Sequence, residues 1–110
     1  MDEEYAIAFE LISQAGDARS SAMLALRAAR QGDLPEAWRL LAAAESSLGA
    51  AHQRQTELVQ SEARGERVPV NIILVHAQDH LTSAMTVRDL AEELVHVYER
   101  LGVPVATSAD

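Results

Sequence analysis

Two glycine–proline breaks cut this chain into three uninterrupted stretches, and that punctuation limits the fold more than any other feature. The first break is Gln31-Gly32-Asp33-Leu34-Pro35-Glu36. Gly32 suits the left-handed conformation that ends a helix. Asp33 suits the cap of the next helix, with Glu36 three positions on as in a capping box. Pro35 falls in the first turn, where its missing N–H is harmless. The second break, Arg64-Gly65-Glu66-Arg67-Val68-Pro69, repeats the order of a glycine stop and a proline start. Between them, alanine, leucine, glutamate and arginine dominate, all good helix formers. Helices are predicted over about residues 3–30, 34–63 and 70–101. Glu3 and Glu4 open the first helix and Arg27 and Arg30 close it, an order that complements the helix dipole. Helices of about 30 residues are about 45 Å long, and short connections make neighbours antiparallel. The expected architecture is all-α: one domain over residues 1–102, an antiparallel up-down-up three-helix bundle, followed by a frayed tail over 103–110.

A chain of 110 residues supports one such domain with a modest core. The absence of cysteine removes disulfides, thiol catalysis and Cys-ligated zinc. With 17 acidic residues against 9 arginines and no lysine, the formal charge is −8. That balance argues against nucleic acid and against anionic lipid, and suits a basic protein partner. No apolar run reaches the length of about 18 residues that a membrane span needs. Met1-Asp2-Glu3-Glu4 lacks the basic-then-apolar layout of a signal peptide. A soluble, cytoplasmic protein is expected.

The third helix carries more apolar surface than one bundle position needs. On a wheel of about 100° per residue, Gln78, Thr82, Met85, Asp89, Glu92, Glu93, His96, Glu99 and Arg100 fall within about a third of the circle. The rest of the helix is largely apolar: Ile72, Ile73, Leu74, Ala77, Leu81, Ala84, Val87, Leu90, Ala91, Leu94, Val95, Val97, Tyr98 and Leu101. A helix packed on two others normally shows a stripe of about 100° or somewhat more. The excess points to a second buried face, supplied by self-association. A third helix buried more deeply than its neighbours would also account for it.

Inside that apolar arc sit four polar residues. His76, Asp79, His80 and Ser83 fall at i, i+3, i+4 and i+7, on one side of the helix. One histidine there would read as an ordinary core residue. Two histidines, an aspartate and a serine read differently, because a buried carboxylate costs several kcal/mol unless it is paired or bound to a cation. Neutral imidazole is a nucleophile at physiological pH and can carry a phosphoryl group. A second imidazole one turn away can donate to phosphoryl oxygens, and an aspartate can hold a ring tautomer or a hard cation. A zinc-protease reading fails because Ala77 stands where H-E-x-x-H needs its glutamate. A His–Asp–His transition-metal site stays open.

Val75-His76-Ala77-Gln78-Asp79-His80-Leu81 resembles the signature of the lactose/cellobiose/chitobiose-type IIA proteins of the bacterial sugar phosphotransferase system. Ala15-Gly16-Asp17-Ala18-Arg19-Ser20, Ala51-His52 with Gln55-Thr56, and Gly65-Glu66 resemble further segments of that family, so the likeness runs over about residues 3–101. The resemblance implies a homotrimer of three-helix subunits, a nine-helix assembly. It implies that His76 accepts a phosphoryl group from the phosphocarrier HPr. His76 then passes the group to a cysteine of the cognate IIB, which serves a membrane IIC permease for a β-linked disaccharide. It implies that Asp79 gathers three copies around one Mg²⁺ on the threefold axis, and that His80 and Gln78 support the phosphoryl site. Asp17 and His52 are expected in packing or polar pairing rather than catalysis. Two other readings stand beside it: a helical interaction or regulatory module that kept the bundle without the transfer, and a bundle binding metal through His76, Asp79 and His80. Thr82 departs from the methionine common in the family, and the family's lysines are missing. These departures bear on sugar and partner identity rather than on the chemistry.

Overall fold

The structure is a computed structural model that describes residues 3–102, so the expected tail over 103–110 lies outside the described residues. Three helices follow one another: α1 (Glu3–Arg30), α2 (Leu34–Ala63) and α3 (Ile72–Leu101). No strand occurs among the described residues.

Local chemistry sets the ends of these helices. Gly32 takes φ 85°, and the Gly32 and Asp33 N–H groups bond back to Ala29 and Ala28 carbonyls at 2.9 Å, closing α1. The Asp33 carboxylate accepts the Glu36 N–H at 3.2 Å and caps α2. The second half of the expected capping box is replaced. The Glu36 carboxylate turns forward to Arg39 at 2.6 and 2.7 Å, a bidentate pair one turn on. That hydrogen bond holds the Glu36 carboxyl below the usual carboxylate range. The start of α3 also differs from the sequence reading. The Asn71 side chain accepts the Leu74 N–H at 2.9 Å, so the helix begins at Ile72. Pro69 sits in the extended connection before it rather than in the first turn.

The core is an alanine seam. Ala8, Ala15, Ala18, Ala22, Ala25 and Ala29 of α1, with Leu11, are buried at three- and four-residue spacing. They face Ala37, Leu41, Ala44 and Ala51 of α2 and Leu74, Ala77, Leu81, Ala84, Ala91 and Val95 of α3. Small side chains let helix axes approach closely. Polar ties cross the seam. Arg54 bonds Glu10 at 3.0 Å between α2 and α1. Arg88 Nε lies 3.1 Å from a Glu45 carboxylate between α3 and α2, close enough for ion pairing though not aligned for a hydrogen bond. Trp38 Nε1–H donates to Glu99 at 3.2 Å, with the His96 ring edge-on to the indole.

The apolar excess of α3 is not absorbed inside the chain. Ile72, Val75, Leu90, Leu94, Val97 and Leu101 remain exposed, flanked by Tyr5, Phe9, Met23 and Leu24 of α1. Of the two explanations for the wide apolar arc, deeper burial of α3 within the bundle therefore fails.

Gly49 sits within α2, and a Cβ built there meets nothing within 4 Å. Gly49→Ala is expected to stabilise the fold by about 0.5–1 kcal/mol, because helical glycine loses more backbone entropy than alanine. A raised thermal unfolding midpoint checks it; an unchanged or lowered one contradicts it.

Candidate functional site

The first two turns of α3 hold the site. Because the Asn71 cap fixes where the helix starts, Leu74, Ala77 and Leu81 point into the core. His76 and Asp79 fall on the adjoining stripe, beside Ile72 and Val75. His76 and Asp79 are exposed, and His80 is half-buried. No polar or charged residue is buried among those described, so the expected cost of a buried carboxylate does not arise in a single chain. Only a second molecule against this face would bring it about.

His76 and His80 meet. Their Nε2 atoms are 3.0 Å apart, and the rings stand edge-to-face with centroids 4.4 Å apart. Either imidazole can donate an N–H to the other's lone pair, according to its tautomer. The contact ties the two side chains together.

The wall opposite comes from α1. Phe9 and Ile12 join Ile72, Ile73, Val75, His76 and Asp79 around a cleft of about 340 Å³. The cleft is open and mostly apolar, with the imidazole at its polar end. Reading α3 alone did not reveal Phe9 and Ile12. The available signal was that Tyr5, Phe9 and Ile12 recur at helical spacing on α1.

Gln78 lies elsewhere. Two residues past His76 is about 200° around a helix, and the Gln78 amide donates to Gln55 Oε1 at 2.7 Å on α2. It borders a separate apolar groove of about 440 Å³ with Leu58, Val59, Val68 and Val70. In one chain Gln78 thus pairs with α2, on a side of α3 away from His76. Asp17 and His52, expected in packing or polar pairing, are exposed and make no side-chain hydrogen bond or ion pair among the described residues.

Among the described residues, no three His, Cys, Asp or Glu side chains gather closely enough to hold a metal ion. Asp79 offers one carboxylate, so a hard cation there would need carboxylates from other copies. No helix is long and apolar enough to cross a membrane among those residues.

Comparison with known proteins adds to this geometry. The family described as "PTS system, Lactose/Cellobiose specific IIA subunit" matches residues 6–99. The lichenan-specific phosphotransferase enzyme IIA component of Bacillus subtilis is 48% identical over 102 residues, spanning 92% of this chain and 93% of that one. The crystal structure of the cellobiose-specific enzyme IIA from Bacillus anthracis superposes with a TM-score of 0.88 at 46% identity, covering 92% of this chain and 93% of that one. A IIA(chitobiose)–HPr complex from the N,N'-diacetylchitobiose branch of the Escherichia coli phosphotransferase system matches with a TM-score of 0.79 at 37% identity, covering 92% of this chain and 98% of that one.

Proposed function

Since the chain belongs to the lactose/cellobiose-specific IIA family of the phosphotransferase system, we propose that His76 is its phosphoryl-carrying residue. The group comes from phospho-HPr and goes to a cysteine of a cognate IIB, which serves a membrane IIC permease for a β-linked disaccharide. The observation that carries this reading is the His76–His80 pair at 3.0 Å on an exposed, apolar-walled cleft. A ring nitrogen of neutral His76 attacks phosphorus in line. The N–P bond forms as the bond from phosphorus to the donor breaks. The His80 ring, released from its bond to His76, turns an N–H toward the phosphoryl oxygens and stabilises their charge. The same steps in reverse order of partners deliver the group onward. Exposure of His76 lets two partners reach it in turn. The solved complex of a relative with HPr supports the choice of donor. The work of such a carrier places it in the cytoplasm.

The same reading includes a homotrimer of nine helices, with the exposed face of α3 inward. Asp79 lies on that face, and three gathered carboxylates repel unless a cation joins them. Mg²⁺ fits such a donor set, since it takes carboxylate oxygens and keeps several waters. Its contribution would be charge neutralisation in assembly. One ion per three chains is expected; one per chain would instead favour a His76–Asp79–His80 metal site.

The test is incubation with enzyme I, HPr and phosphoenolpyruvate, followed by intact-mass measurement. A gain of one phosphoryl group per chain, lost in acid, is expected. A folded trimer that takes up none would reduce the protein to an interaction module.

A further inference from the structure

Past Asp79, the groove between α1 and α3 continues into a second, more polar hollow of about 520 Å³, lined by Arg19, Asp79, Thr82, Ser83, Thr86 and Val87. Arg19 and Asp79 are both exposed, and neither makes an ion pair among the described residues. Their own helices offer them little. Arg19 has Ala15, Gly16, Ala22 and Met23 at three and four positions away, with no acid among them. Asp79 has Val75, His76, Thr82 and Ser83. By contrast, Arg39, Arg54 and Arg88 each find a glutamate at that spacing. Two opposite charges thus face one hollow without meeting. Exposed apolar residues flank them, Phe9 and Ile72 at one end and Met23 and Leu94 at the other.

We infer that Arg19 of one subunit pairs with Asp79 of a neighbouring copy, so the trimer is held by interleaved arginines as well as by a cation. The inference rests on the trimeric reading given above. Covering the apolar flanks with a second copy covers the Asp79 carboxylate with them, and an unpaired carboxylate in such an interface is costly. Three copies bring three arginines to three aspartates, so the arginines share with the cation the work of offsetting the carboxylates. Long helical side chains lean toward the N-terminus of their helix. Arg19 therefore leans over Gly16, where even an added Cβ would meet nothing within 4 Å. In this parallel α1–α3 arrangement, that lean is toward the level of Asp79. A guanidinium grips a carboxylate through two parallel bonds, and the hydroxyls of Thr82, Ser83 and Thr86 border the same space for its remaining N–H groups. A clamp on the phosphoryl group is the less favoured role, because His76 does not line this hollow and Asp79 stands between.

Analytical ultracentrifugation of the full chain in EDTA and in Mg²⁺ tests this. In EDTA, Arg19→Met is expected to raise the concentration at which the trimer dissociates by about tenfold or more relative to wild type. Arg19→Lys should recover part of the loss, and Mg²⁺ should narrow the gap. In an Asp79→Leu background, where no carboxylate remains, Arg19→Met should change nothing, which also shows that the variant folds and assembles. Arg19→Met equal to wild type in EDTA overturns the inference, as does an equal loss in the Asp79→Leu background. A wild type that is monomeric in both buffers removes the trimer itself, a different failure from either.

Discussion

His76→Ala is expected to reduce phosphoryl uptake from phospho-HPr to background while leaving the helical content unchanged. The side chain is exposed and contributes nothing to the alanine seam, and surface substitutions of this kind shift stability by no more than about 0.5 kcal/mol. The variant therefore isolates chemistry from folding. Because the two rings are 3.0 Å apart, a phosphoryl group could in principle sit on either. His80→Ala separates them. If His76 is the nucleophile and His80 the donor to the developing charge, His80→Ala should still be labelled, at a rate lower by about 10²-fold, the usual cost of one lost transition-state donor. Single-turnover mixing with phospho-HPr reads both rates. Full labelling of His76→Ala, or loss of labelling confined to His80→Ala, would move the nucleophile to the other ring.

The parts of this molecule that were legible in the sequence are those that one helix encodes by itself. Gly32 and Asp33 mark a stop and a start because each satisfies backbone groups within a few residues. The His76–His80 contact follows from four-residue spacing alone. The rest is set where a side chain has a choice of partner or where a second helix decides. Glu36 could reach back to the Asp33 N–H or forward to Arg39, and a charged bidentate pair prevailed over a neutral donor. Pro69 was compatible with a first turn, but the Asn71 side chain captured the Leu74 N–H and delayed the helix. Gln78 shares a motif with His76 yet points across to Gln55, because adjacency along a helix is separation around it. Phe9, Ile12 and Arg19 became visible as site residues only once α1 lay parallel to α3 at a definite register. No periodicity within either helix specifies that register. The exposed stripe from Ile72 to Leu101 lies between these cases. Its excess of apolar residues was readable, while the molecule that covers it lies outside a single chain.

Asp79→Leu is expected to give a trimer that no longer needs a divalent cation. The argument starts from where Asp79 sits, on the stripe of α3 that continues through Leu90, Leu94, Val97 and Leu101, all exposed in one chain. If that stripe closes on two copies of itself, Asp79 is the charged member of an otherwise apolar or hydroxyl-bearing line. Two like charges about 4 Å apart at an effective dielectric of about 20 repel by about 4 kcal/mol, so three copies need positive charge from a cation and from arginines. Leucine removes the repulsion and adds apolar area to a face that already seeks cover. Replacing grouped buried charges by packed apolar residues is neutral or stabilising, by about 1–4 kcal/mol. The freed Arg19 can extend its head to water, since it lies at the exposed edge of the groove. Sizing with light scattering should therefore return the same trimer mass for Asp79→Leu with EDTA and with Mg²⁺. The wild-type trimer should weaken in EDTA, and more so as protein is diluted. A monomeric Asp79→Leu would mean that Asp79 bridges subunits through a contact that leucine cannot replace, and the repulsion account would fall.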